Sequence, residues 1–197
     1  MRTIALISIF LLGTAFSFGL TGGWTRDSFA KNSLYIDRSR SKGEEAIKAN
    51  FGVNDEKTIV YPLEIYKQLV NGFNYKTVYA FYDTEKDVID GFSAIVYTGP
   101  FSKKTPSFEV INVEKLESSE TVVNDAKLIK KIDDVLNKYL NRNDIHNSQI
   151  VKTFKKPITM NTSVYVVKTE ESKGKYLIFQ DENGELKVDA HVILYNN

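Results

Sequence analysis

Apolar and polar positions change their spacing several times along this chain, and each change marks an element. Over residues 27–51, Phe29, Ile36, Ile47 and Phe51 fall at helical intervals, which predicts one long helix with those side chains turned to a core. Gly43 interrupts it, and a glycine inside a helix costs about 1 kcal/mol relative to alanine. The period then shortens to two. Ile59, Tyr61, Leu63 and Ile65 alternate with other residues, and so do Phe73, Tyr75, Tyr79 and Phe81; that pattern predicts two strands of an antiparallel hairpin. Pro62 has no backbone donor and predicts a bulge or an edge. Residues 90–98 and 108–116 read as two further strands, with a polar loop over residues 102–105.

The same order then repeats. Over residues 120–140, Val122, Ala126, Ile129, Ile132, Leu136 and Leu140 form a stripe at intervals of three or four, with Ser119 placed to cap its start. Strands are predicted at 148–155, 163–169, 175–180 and 186–195. Asn183-Gly184 marks a tight hairpin, because both residue types tolerate positive φ. Val164-Tyr165-Val166 overlays Val78-Tyr79-Ala80, which reads as a degenerate internal duplication. The expected fold class is α+β: two tandem domains, residues 20–116 and 117–197, each with one α-helix and an antiparallel β-sheet.

Residues 1–19 stand apart. A short basic start at Arg2 precedes an apolar run over residues 4–18, shorter than the roughly 20 residues a spanning helix needs. The pattern predicts a signal peptide cleaved between Gly19 and Leu20, with cleavage after Ala15 or an uncleaved anchor as the alternatives. The mature protein is expected to be secreted or to reside in an endomembrane lumen, with no membrane partner once the signal is cleaved.

Composition narrows the function. The chain holds no cysteine and two histidines, His146 and His191, which removes disulfides, thiolate metal sites and a cysteine nucleophile and leaves little for a histidine-based triad. Basic and acidic groups balance at 26 against 25, and the balance holds within each half, so no basic face of the size nucleic acid demands is expected. The inventory points away from an enzyme, and no cofactor or metal is expected. Asp133-Asp134 and Lys130-Lys131 read as a solvated helix face. The acidic run at residues 181–185 lacks the ligand spacing of an EF-hand loop.

The unusual feature is apolar side chains in turns, which are normally polar. The connection between the first two strands reads Gln68-Leu69-Val70-Asn71-Gly72, and Leu69-Val70 sit at or near its tip. Gly99-Pro100-Phe101 places an aromatic ring in a second turn. The segment after residue 19 begins Leu20-Thr21-Gly22-Gly23-Trp24, where paired glycines let backbone approach another surface. Either these loops fold onto their own core or something binds there.

In these residues the chain resembles the cystatins, inhibitors of papain-like cysteine proteases. The family pattern is an N-terminal glycine, one long helix, a first hairpin reading Gln-x-Val-x-Gly and a second hairpin with proline beside an apolar residue. Gly22-Gly23, the 27–51 helix, Gln68-Leu69-Val70-Asn71-Gly72 and Pro100-Phe101 match it in order. The spacings and the lack of cysteine resemble the short stefin branch more than the disulfide-bearing secreted one, and the resemblance covers residues 20–116 and reaches 117–197 only through the helix-plus-sheet pattern. It implies tandem cystatin-like domains, each an antiparallel β-sheet wrapped around one α-helix. In the first, the N-terminal segment and two hairpins would form a wedge that enters a protease cleft reversibly and without a scissile bond. In that wedge Leu20 and Thr21 would reach a substrate pocket and Gly23 would be the pivot. Gly72 would let the tip approach the protease wall, and Leu69, Val70 and Phe101 would bury apolar area. Asn71, Leu69 and Phe101 differ from the residues usual in the family.

The second block carries no such motif: Phe154-Lys155-Lys156-Pro157-Ile158 stands in its place, beside a glycosylation sequon, Asn161-Thr162-Ser163. A structural or accessory role is expected for it. The alternative for the whole chain is a non-inhibitory adaptor of the same fold that docks a partner through these loops.

Overall fold

The computed structural model describes residues 22–29, 33–100, 105–120, 125–155, 163–169, 175–180 and 184–192. The alternating residues 58–83 form the predicted hairpin, β2 (Thr58–Val70) and β3 (Gly72–Asp83), flanked by β1 (Thr25–Asp27) on one side and by β4 (Val88–Thr98) and β5 (Phe108–Lys115) on the other. Helix α1 spans Leu34–Phe51. The second half repeats the order with β6 (Ser118–Ser119), α2 (Ala126–Leu140), β7 (Gln149–Lys155), β8 (Ser163–Lys168), β9 (Lys175–Gln180) and β10 (Leu186–Val192). Both five-stranded sheets are antiparallel, and each runs in chain order, β1 to β5 and β6 to β10. The class is α+β.

Successive side chains on a strand face opposite ways, and here both directions are covered. From β3, Tyr79 and Phe81 pack with Ile47 of α1 and with Phe92 and Ala94 of β4. From the same strand Val78, Ala80 and Tyr82 point away from α1 and meet Phe154, Val164, Val166 and Leu177 of the second sheet. Tyr165 and Val167 of β8 then face Ile132 and Leu136 of α2. The layers are therefore helix, sheet, sheet, helix, with a shared core between the sheets. This accounts for the unbroken apolar runs at residues 78–82 and 164–167, which a sheet with one wet face would not carry.

A polar rim borders the shared core. Lys152 Nζ donates to Asp90 Oδ1 at 3.0 Å, and Lys175 Nζ donates to Asp87 Oδ1 at 2.5 Å and to the Asp87 carbonyl at 2.8 Å. Burial alone would raise the Asp90 carboxyl, but hydrogen bonds from Lys115 and Lys152 and their charges outweigh it and hold its pKa below the ordinary carboxylate value. Asp87 shows the same net direction: Lys175, Tyr82 and Lys168 overcome its desolvation.

Several element boundaries differ from expectation. The first helix starts at Leu34 rather than near residue 27, because Thr25–Asp27 is taken up in the ladder with Ile65, Tyr66 and Lys67. Phe51 is 42% exposed, although its ring lies 5.0 Å from that of Phe92. Ser119 does not cap α2. It pairs with Thr153, and Asp125 caps instead, its carboxylate accepting from the amides of Lys127 at 2.9 Å and Leu128 at 3.2 Å. Ala126 is exposed at that first turn, and Val122 lies outside the described residues. Asp133 is not solvated: at 8% exposure it accepts the amides of Asn147 and Ser148 and ties the loop after α2 to the helix. The register does shift between Pro62 and Glu64.

Gly43 has a packing reason. A Cβ there would lie 2.7 Å from the Tyr79 hydroxyl and 2.9 Å from the Ala94 Cβ, and that hydroxyl donates to the Arg40 carbonyl at 2.7 Å. The glycine that weakens the helix in isolation lets it seat on the sheet.

Candidate functional site

The hairpin between β2 and β3 turns on the single residue Asn71, with Val70 paired to Gly72. Gln68, Leu69, Val70 and Gly72, expected in a loop, are thus strand residues, and the ladder runs almost to the tip. Gln68 accepts a hydrogen bond from the Asn74 side chain opposite at 3.0 Å. Lys67 Nζ lies 3.7 Å above the Phe73 ring, a cation–π contact that stiffens the approach to the tip.

Gly72 has φ of 126°, and a Cβ there would press into the Thr98 carbonyl and lie 2.6 Å from the Gly99 carbonyl. The backbone of Thr98 and Gly99 in the same chain already excludes a side chain at this position, whatever the tip meets. The Tyr97 hydroxyl then donates to the Asn71 carbonyl at 2.5 Å. The first tip leans on the strand end that leads into Gly99-Pro100.

On the other side, the Gly22 amide donates to the Leu69 carbonyl at 3.2 Å. β1 continues that contact by pairing Thr25 with Lys67. Arg26 reaches the buried Glu64 carboxylate at 2.8 Å, and the Tyr66 hydroxyl donates to the same carboxylate. Trp24 packs against the shared core. Sequence reading grouped Trp24 only with the paired glycines; its isolation as the one tryptophan was the available clue to an anchor. Burial, helped by the charge of Asp27 and by Tyr35, pushes the Tyr75 hydroxyl up to about 12, so it stays protonated at neutral pH.

Three of the sequence-predicted segments therefore lie side by side at one end of the first sheet: Gly22-Gly23, residues 68–72 and Gly99-Pro100. Leu69 is 50% exposed. Gly22, Gly23 and Asn71 are exposed, Gln68, Val70, Gly99 and Pro100 are half-buried, and Gly72 is buried. Among the described residues, none of these side chains belongs to the core shared with the second sheet. The 84–87 turn, which carries Asp87 of the polar rim, joins β3 and β4 at the sheet's opposite end. Leu20, Thr21, Phe101 and Asn161 lie outside the described residues.

Chemically the edge offers exposed backbone and an apolar side chain on a braced tip. Among the described residues no group of histidine and carboxylate side chains has the makings of a metal site. His146 is exposed, and His191 lies in β10 opposite Tyr176. Comparisons with family models, with curated proteins and with solved structures each find no match.

Proposed function

We infer that this chain is a reversible, non-covalent inhibitor of papain-like cysteine proteases. It acts through the edge formed by the segment that ends in Gly22-Gly23, by the tip at residues 68–72 and by the turn at Gly99-Pro100-Phe101. On this reading residues 20–116 are an inhibitory cystatin-like domain and residues 117–197 a degenerate second one. Residues 1–19 direct the chain to secretion. The observation that carries the reading is the contiguity of the three segments, held by the Gly22–Leu69 and Tyr97–Asn71 hydrogen bonds. A braced edge loses little conformational entropy on entering a cleft. Strands paired almost to their tip also hold the peptide bonds at residues 68–70 in a ladder, which keeps them from a protease's nucleophile.

The test is titration of the chain from Leu20 onward against papain, with Leu69→Asp as the variant. Leu69 is half exposed, so the substitution leaves the fold intact while placing a charge where an apolar contact is needed. Inhibition constants are expected to rise by about 30-fold or more, the ratio that corresponds to a central contact of about 2 kcal/mol. No inhibition at micromolar protein, or an unchanged constant for the variant, overturns the reading.

A second reading, a non-inhibitory adaptor that uses the same edge, is favoured by Gly72. Its φ and its neighbours Thr98 and Gly99 account for the glycine without any partner. Absence of protease inhibition, with the edge intact by its backbone contacts, selects this reading.

A further inference from the structure

We propose that, against the expectation of no membrane partner for the processed chain, the outer face of α2 docks on an anionic lipid surface. The buried side of α2 is formed by Ile132, Asp133 and Leu136. The opposite side exposes Lys127, Lys130, Lys131 and Lys138, with Asp134 the one acid among them. Among the described residues no ion pair reaches any of these lysines. Helix α1 shows what a neutralised face looks like in the same protein: Arg40 pairs with Asp37, Lys42 with Glu45 and Lys48 with Glu44.

Lys127, Lys131 and Lys138 are spaced four and seven residues apart, which at the helical rise places their stems roughly 6 and 10 Å apart in one row. The layer order makes α2 an outermost element, so this row can meet a plane. A headgroup array needs neither a groove nor a fixed register. Net charge is only +1, so the molecule as a whole supplies little attraction and binding has to come from a local cluster such as this one. Docking here leaves the edge of the first sheet free, since the second sheet stands between the two.

The experiment is co-sedimentation of the protein with vesicles of phosphatidylcholine alone and of phosphatidylcholine with phosphatidylserine. Binding is expected only with phosphatidylserine and is expected to weaken as salt rises, because screening shortens the range of each lysine. The Lys127→Gln/Lys131→Gln/Lys138→Gln variant is expected to bind about 100-fold more weakly, at a few-fold per lysine. A matched variant on α1, Lys42→Gln/Lys48→Gln, is expected to bind like the wild type. Circular dichroism of both variants checks that the helices persist. No binding to phosphatidylserine vesicles overturns the proposal. So does equal loss in the α1 variant, which would mean that total charge alone is read. Displacement from the vesicles by a soluble polyanion at equal charge concentration would assign the face to that polymer and overturn the lipid occupant.

Discussion

β3 and β8 hold the same place in their sheets, third of five in both, and each turns a tyrosine to its helix and small aliphatic residues to the other sheet. Around these matched centres the two halves diverge at the surface. The first half braces three segments into an edge and neutralises its helix with ion pairs. The second half has two lysines where the first has its tip motif, and among the described residues no ion pair reaches Lys127, Lys130, Lys131 or Lys138 of its helix. The lesson is that a repeated topology preserves the inward pattern, where packing leaves few choices, and lets the outward pattern drift toward separate tasks.

The largest expected effect comes from challenging the shared core. Val164 is fully buried between the sheets. Val164→Asp would bury an unpaired charge and is expected to cost about 4 kcal/mol or more. Thermal unfolding followed by near- and far-ultraviolet dichroism should show one transition lowered for the whole chain. A first-half transition that stays in place would break the picture of one joined core.

Next in size are two glycine substitutions that helix propensity and turn statistics would misjudge. Gly43→Ala gains about 1 kcal/mol from propensity, but the Tyr79 hydroxyl and Ala94 must move, so a net loss of about 1–2 kcal/mol is expected. Gly72→Ala, strained at φ of 126° and pressed on Thr98, is expected to lose about 2 kcal/mol. Urea midpoints measure both. A stabilised Gly43→Ala would mean that the helix does not seat as described. Because Gly72 matters to the fold itself, Leu69→Asp is the cleaner probe of partner binding.

The smallest expected effect is in acid. Asp87 and Asp90 have folded pKa values below the unfolded value of about 3.9. Their contribution is therefore present above that value and is lost as pH falls through the lower, folded one. The double variant Asp87→Asn/Asp90→Asn should show a shallower fall in melting temperature below about pH 4 than the wild type. An equal slope would show that the rim lysines contribute nothing to the joining of the sheets. The partly exposed carboxylates keep this effect modest.

Much of the fold was legible in the residue pattern. Alternation placed the strands of both halves within a few positions, and the overlay of Val78-Tyr79-Ala80 on Val164-Tyr165-Val166 carried the repeat. The errors fell where local preference lost to pairing. Thr25–Asp27 joined a ladder instead of a helix, Ser119 entered β6 instead of capping, and Asp133 was drawn under a loop by two backbone amides. At the edge the residue pattern located the segments, but the packing of Gly72 against Thr98 and Gly99 was not legible in it, because those residues lie 26 and 27 positions further along the chain. The anchoring role of Trp24 is not legible in the pattern, because the core it packs against exists only once the two sheets close on one another.

Period, turn chemistry and composition by themselves determined which segments are strands or helices, that the arrangement occurs twice, and that cysteine chemistry is absent. These depend on near neighbours and on residue identity, which the chain order carries directly. Only the tertiary structure decided that the two sheets close on one another, that Gly43 and Gly72 serve close approaches, and that Gly22, Leu69 and Gly99 lie together while the lysines of α2 face outward. Each of those facts depends on groups far apart in the chain being brought within contact distance, and the energy that selects such contacts exists only once the layers are packed.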